Sequence, residues 1–311
     1  MNEKETNIII TRIEQWYNRI QEMFVEDRQS LNAEFSWSKD PVPFANRLDK
    51  KYKSITKGKS WGKEWDSAWF RLTGKRKKEW KGKTIVADLD FSGEGLVYDP
   101  NGNEIQGITN ASIWDQNFVR TRVIIPKTCF KKDDVELWVE TAANSLFGIY
   151  VDTDPDQDNP KRHGTFDAKV VTIDIGVFRK DIWDLYLDAR ILIGLVKRLD
   201  KKSVRRARII DSMNNAVVAF KDDKKDAEAS RKILSKELNK KATSSDLKAA
   251  AVGHAHIDTG WLWPVKETIR KCARTFATQL DLIDRYPDYI FGASMPQHYQ
   301  FMKDHYPKIF K

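Results

Sequence analysis

Residues 248–294 read as strand, helix, strand, and no other stretch of the chain narrows its possible folds as much. KAAAVG at 248–253 is a short buried-strand candidate and YIFGAS at 289–294 is a second. Between them Val265, Ile269, Cys272, Phe276, Leu280 and Ile283 recur at helical spacing. Pro264 suits the first helical position, Glu267 puts a negative charge in the first turn, and Pro287 ends the run. Such a unit pairs its strands in parallel, and two parallel strands cannot bury both faces of a sheet by themselves. Residues 246–311 are therefore expected to be the first βα units of a larger (β/α) barrel, truncated in this chain.

Upstream the hydrophobic period changes. Ile9, Ile13, Trp16, Ile20 and Phe24 predict an amphipathic helix, followed by a loop-rich stretch with Pro41, Pro43 and small polar residues at 54–60. Residues 1–60 thus read as an N-terminal helix and loop region. Over 61–178 short apolar runs are broken by Gly, Asn and Asp. Ile85, Ala87, Leu89 and Phe91 alternate with other residues, Val135, Leu137 and Val139 alternate with Glu136, Trp138 and Glu140, and DPNG at 99–102 reads as a hairpin turn. An antiparallel β-sandwich is expected there, self-contained enough to fold independently. Residues 179–245 read as a helical connecting region. One stripe runs through Ile182, Leu185, Ala189, Leu192 and Val196, and another through Val204, Ala207, Ile210, Met213 and Val217. A third, more polar helix lies near 224–239, and 242–245 is a linker candidate. The fold class is α+β and multi-domain.

Composition excludes several function classes. With 311 residues, 41% of them hydrophobic, the chain can form the cores of two or three domains. The formal charge of +9 is spread thinly, with one run at 75–83 in an expected loop and another at 221–231 interleaved with acids. That is a solvated surface rather than a nucleic-acid footprint. No apolar run approaches the ~18 residues of a membrane span, and the first residues, MNEKETNIII, lack the layout of a secretory signal. Cys129 and Cys272 lie in unrelated segments and suggest neither a disulfide framework nor a thiolate cluster, so a reducing cytoplasm is expected.

The chemistry concentrates in GHAHIDTGWLWP at 253–264, between a strand candidate and a helix. In extended backbone His254, His256 and Asp258 point the same way, and imidazole nitrogen with carboxylate oxygen can form half of a site for zinc or another divalent ion. A lone His-x-His also arises by chance in loops. Asp258, the strand-end position, and Trp261 and Trp263 just after it turn the balance toward a metal and sugar site, because aromatic faces stack against the C–H faces of sugars. Trp263 can equally be core.

The run GHAHIDTGWLWPVKETIRKCARTF, continuing through YPDYIF to MPQHYQFMKDHYP, resembles the opening of the catalytic domain of class II α-mannosidases of glycoside hydrolase family 38. The branch it resembles is that of the cytosolic and vacuolar enzymes and their bacterial relatives. WGKEWDSAWFRL, FSGEGLVYDPNG and VETAANSLFGIY resemble that branch's β-rich N-terminal domain, so the likeness covers roughly 60–311. It implies a metal-dependent, retaining exo-α-mannosidase acting on terminal α-mannosyl residues of oligosaccharides. His256 and Asp258 match two ligands of the catalytic Zn2+, Trp261 matches the aromatic residue under the mannose ring, and His254 matches no direct ligand and falls behind them.

The nucleophile aspartate, the acid/base carboxylate and the last histidine ligand lie downstream in the family, so no catalytic carboxylate is expected in this chain and the chain alone is expected to be inactive. Glu267 matches none of these positions, and Asp281, Asp284, Asp288 and Asp304 read as solvated. His163, His298 and His305 read as surface or loop histidines. Two other readings stand beside this one: another barrel metallohydrolase of the amidohydrolase kind, and a non-catalytic carbohydrate-binding fragment. Homo-oligomerisation through the full-length protein is left open.

Overall fold

The computed structural model describes residues 3–109, 119–144, 166–221, 225–241, 247–261 and 263–311. Helix α1 (Glu3–Gln21) is followed by β1 (Val25–Ser30), β2 (Asn32–Ser38), β3 (Lys53–Ile55), β4 (Ser60–Lys63), β5 (Ser67–Lys75), β6 (Ile85–Asp90) and β7 (Glu94–Tyr98). Then come β8 (Glu104–Thr109), β9 (Arg122–Ile124), β10 (Phe130–Lys131), β11 (Asp134–Ala142), β12 (Asp167–Lys169) and β13 (Thr172–Phe178). Helices α2 (Lys180–Arg198), α3 (Val204–Phe220) and α4 (Ala227–Leu238) lead to β14 (Gly253–His254), α5 (Val265–Arg285), β15 (Phe291–Gly292), α6 (Pro296–His305) and α7 (Pro307–Phe310). The α+β class holds. The chain divides into two compact units, Met1–Asp27 with Val177–Ala249, and Arg28–Gly176 with Ala250–Lys311.

The larger unit is built on two antiparallel sheets, ordered β1-β13-β6-β9 and β3-β2-β5-β11-β7-β8. Strand alternation sends Ala68, Phe70 and Leu72 of β5, with Val135, Leu137 and Val139 of β11, toward the first sheet, where Phe70 meets Phe91 at 4.4 Å between ring centroids. The expected sandwich is present, but it begins earlier than the sequence indicated. The stretch after α1, read as loop-rich, contains β1, β2 and β3. In β2 the buried positions Ser36 and Ser38 carry small hydroxyls and flank the exposed Trp37, so hydropathy does not report burial there.

Strand β11 is buried on both sides because α5 covers the other face of its sheet. Trp69, Leu96, Tyr98 and Trp138 of that face pack against Cys272, Ala273 and Ala277 of α5 and Met302 of α6. Gly107 on β8 permits the close approach. Its amide donates to Thr278 Oγ1 at 3.0 Å, and an added Cβ would lie 2.6 Å from the Arg274 carbonyl oxygen.

The buried face of α5 differs from the apolar stripe read in the sequence. Glu267, Thr268, Arg270, Ala273, Arg274, Ala277 and Thr278 are buried together with Cys272, whereas Val265, Leu280 and Ile283 are exposed. The reason is a charge-matched interface with two acids of the sheet. Arg270 Nε lies 2.6 Å from Glu140 Oε1, Arg274 Nη1 donates to Glu94 and Glu267 at 2.6 and 2.5 Å, and Lys271 Nζ donates to both Glu94 oxygens at 2.8 and 2.9 Å. Buried charges of this kind persist only when paired and hydrogen-bonded. The sandwich thus shares a buried, charge-matched interface with α5.

The parallel pairing of β14 with β15 occurs, with Gly253 opposite Phe291 and His254 opposite Gly292, and α5 lies between them in sequence. Each strand is two residues long instead of the expected six. Residues 247–252 are exposed and outside the pairing, so the buried strand expected at 248–253 is reduced to Gly253 and His254.

In the smaller unit α1 packs with α2 and α3 through a Trp16–Phe220 edge contact and a stacked Tyr17–Tyr186 pair. Helix α4 is capped by Asp226, which accepts from the Ala229 amide at 3.0 Å. No helix among the described residues is long and apolar enough to cross a membrane. The linker expected at 242–245 and His163 lie outside the described residues.

Candidate functional site

Residues 255–264 leave the end of β14 and bend back into the N-terminus of α5. His256 and Asp258, two apart in near-extended chain, bring Nε2 and Oδ1 to 3.0 Å, and both side chains reach solvent. Atoms that close can both reach one ion at the ~2.0–2.2 Å of zinc–nitrogen and zinc–oxygen bonds, so this donor pair fits half of a zinc-type site. Among the described residues no group of three or more His, Cys, Asp or Glu side chains gathers as a metal cage. His254 sits exposed on β14, opposite Gly292, outside this pair.

The two tryptophans divide the roles that the sequence left open. Trp261 is 55% exposed, whereas Trp263 is 8% exposed and meets Trp261 edge-on at 5.5 Å. Trp263 is thus supporting core. Its Nε1 donates to the Asp258 carbonyl at 3.2 Å and to Thr268 Oγ1 at 3.1 Å. Lys271 Nζ lies 4.5 Å from the centroid of the Trp263 ring.

His298 departs from the surface or loop position read for it. It lies buried on α6, with Nε2 3.1 Å from Thr259 Oγ1. Burial, with the nearby His256 as a second cause, holds its imidazole below the usual histidine range. His305 is exposed, as expected. Glu267 lies in the first turn of α5, as expected, and is a buried member of its ion network. Spacing along the sequence could not reveal Thr268, His298 or Glu267, because the groups they meet come from other turns or elements.

A cleft of about 320 Å³ opens beside His256, bounded by the β8 edge and by Glu94, Lys271, Arg274 and Thr278. The charges of Glu94, Lys271 and Arg274 are already committed to one another. Both cysteines are buried and unpaired, and burial pushes each thiol up to about 12.

Residues 29–171 match the family model described as "Alpha-mannosidase, jelly roll domain", and residues 246–311 match "Glycosyl hydrolases family 38 N-terminal domain". Alpha-mannosidase 2C1 of Homo sapiens is 28% identical over 272 residues, 86% of this chain and 25% of that protein. Alpha-mannosidase G of Dictyostelium discoideum is 28% identical over 289 residues, 92% of this chain and 26% of that protein. An alpha-mannosidase of Saccharomyces cerevisiae is 28% identical over 267 residues, 80% of this chain and 23% of that protein. The chain spans about a quarter of the length of the curated relatives it matches. A β-glucuronidase from Ruminococcus gnavus aligns at 13% identity and a TM-score of 0.35 over 48% of this chain and 29% of that one, a likeness too slight to carry any argument.

Proposed function

We propose, from its matches to the α-mannosidase jelly roll and family 38 N-terminal domain models and to α-mannosidases of three organisms, that the chain is the N-terminal portion of a glycoside hydrolase family 38 α-mannosidase and that the full-length protein is a metal-dependent, retaining exo-α-mannosidase acting on mannose-containing oligosaccharides. The observation that carries this reading is the exposed His256–Asp258 donor pair, 3.0 Å apart, with the exposed Trp261 close to it in sequence. His256 and Asp258 hold one side of the ion, zinc or another divalent metal, which supplies Lewis acidity at the sugar hydroxyls. Trp261 offers the surface on which the apolar face of the ring rests. The carboxylate pair that retaining glycosidases use is assigned to no residue of this chain. The parallel β14–β15 pair, with exposed Leu280, Ile283 and Ile290 nearby in sequence, supports a barrel start that further strands complete. Two unpaired buried thiols support a reducing compartment such as the cytoplasm.

The test is metal content and aryl α-mannoside hydrolysis in the full-length protein. His256→Ala and Asp258→Ala are each expected to lose bound metal and activity together while the sandwich stays folded, and His254→Ala to be milder. Stoichiometric metal in both ligand variants would refute the assignment. The 311-residue chain alone is expected to bind metal weakly and to show no hydrolysis, since a two-donor half-site leaves most of the coordination sphere to water.

A further inference from the structure

We propose that Thr268 is a positioning residue for the metal and sugar site, acting through a single buried hydroxyl that fixes the bend between Asp258 and Trp263. The proposal rests on the reading of His256 and Asp258 as metal ligands. A threonine hydroxyl offers one hydrogen and two lone pairs. Thr268 commits all three to one loop: Oγ1 donates to the Asp258 carbonyl at 3.2 Å, and it accepts from the Gly260 amide at 3.0 Å and from Trp263 Nε1 at 3.1 Å. The side chain is fully buried, so no water can replace a lost partner without repacking.

A threonine inside a helix ordinarily turns its hydroxyl back to the carbonyl four residues earlier. Thr278, on the same helix, does so, donating to the Arg274 carbonyl at 2.7 Å. Thr268 instead donates across to the loop. The two ends of that loop carry the site. The carbonyl held is that of Asp258, whose carboxylate meets His256, and the indole held is that of Trp263, whose ring abuts Trp261. One turn along α5, Lys271 lies over the other side of the Trp263 ring, and Lys271 is held by Glu94 of the sandwich. The hydroxyl therefore sets the aim of the donor pair and of the stacking ring together.

The experiment measures Zn2+ affinity by chelator competition in the full-length protein, with kcat and KM for an aryl α-mannoside and thermal unfolding as companions. Thr268→Val keeps the shape and removes the hydroxyl. It is expected to weaken zinc binding about 10- to 100-fold, the usual effect of losing a group that orients a ligand. Thr268→Ser is expected to restore affinity to within about threefold of the parent, because it returns the hydroxyl without the methyl. Should Thr268→Val not accumulate as folded protein, Trp263→Phe reads the same network by removing the indole N–H together with part of the ring, and a weakened zinc affinity is again expected. Zinc affinity unchanged in Thr268→Val, or in Trp263→Phe where that stands in, overturns the proposal even if the melting temperature falls. Thr268→Ser as weak as Thr268→Val overturns it too, since packing would then be the cause. Zinc bound as tightly by His256→Ala as by the parent would instead sink the metal reading, and the positioning role with it.

Discussion

Gly260 has φ at +73°, a left-handed conformation in the bend that separates Asp258 from Trp261. A Cβ there would meet only Val265 Cγ2, at 3.5 Å, so space is not what requires glycine. Backbone strain is, at roughly 1–2 kcal/mol for an L-residue in that region. Gly260→Ala is expected to lower stability in urea by about that amount and to weaken metal binding, because the Gly260 amide is one of the groups held by Thr268. Unchanged stability would mean that the bend relaxes freely and that its conformation does not matter to the site. The approach of His256 to Asp258, close to the exposed Trp261 in sequence, was legible for a physical reason. The three lie within six residues of one another, and a period-2 backbone alone is enough to aim the first two together. Thr268 and His298 were not legible, because each meets the loop only after α5 and α6 have packed back against it.

At the scale of elements, helix α5 shows how a correct helix can hide the face it buries. Its existence followed from the spacing of apolar residues, yet the stripe from Val265 to Ile283 is not its core side. Glu267, Arg270 and Arg274, which the apolar spacing did not single out, are buried, since the acids that neutralise the two arginines belong to strands more than a hundred residues away. Glu94 makes the interface pH-sensitive. Burial opposes its ionisation, but Lys271 and Arg274 outweigh burial and hold the carboxyl down from 4.5 to about 2. A depressed carboxyl stabilises the fold fully above its unfolded value and loses that contribution as pH falls through the folded one. The window is therefore about pH 4.5 down to about 2, and the contribution is at most on the order of 3 kcal/mol. Glu140 acts in the opposite sense, because burial raises its carboxyl despite the neighbouring Arg270, so its protonation in acid offsets part of the loss. Comparison with Glu94→Gln isolates the effect: urea midpoints measured across this window are expected to fall more steeply for the parent than for the variant. Superimposable pH profiles would show that Glu94 gains nothing from its cationic partners.

At the scale of the molecule, the sandwich and residues 250–311 form one compact unit, which weighs against independent folding of the sandwich and makes that expectation worth testing. That expectation weighed the alternation within strands, which reports two faces without saying what covers the second. The face carrying Trp69, Leu96, Tyr98 and Trp138 is covered by α5 and α6. A fragment of residues 25–178 would keep every strand of both sheets but uncover those four side chains, each worth about 1.5–3 kcal/mol when buried. It would also leave Glu94 without Lys271 and Arg274, and Glu140 without Arg270. Separation from α5 would hydrate these acids, which relieves part of the electrostatic cost, but the apolar loss alone is comparable with the 5–15 kcal/mol that holds a typical domain. The fragment is therefore expected to bind a hydrophobic dye, to self-associate on size exclusion and to be digested faster than the 311-residue chain. The intact chain should retain the α5 segment together with the sandwich in its protease-resistant material. A fragment that unfolds cooperatively, stays monomeric and leaves the dye dark would restore the sandwich as an independent module and reduce α5 to a passenger on its surface.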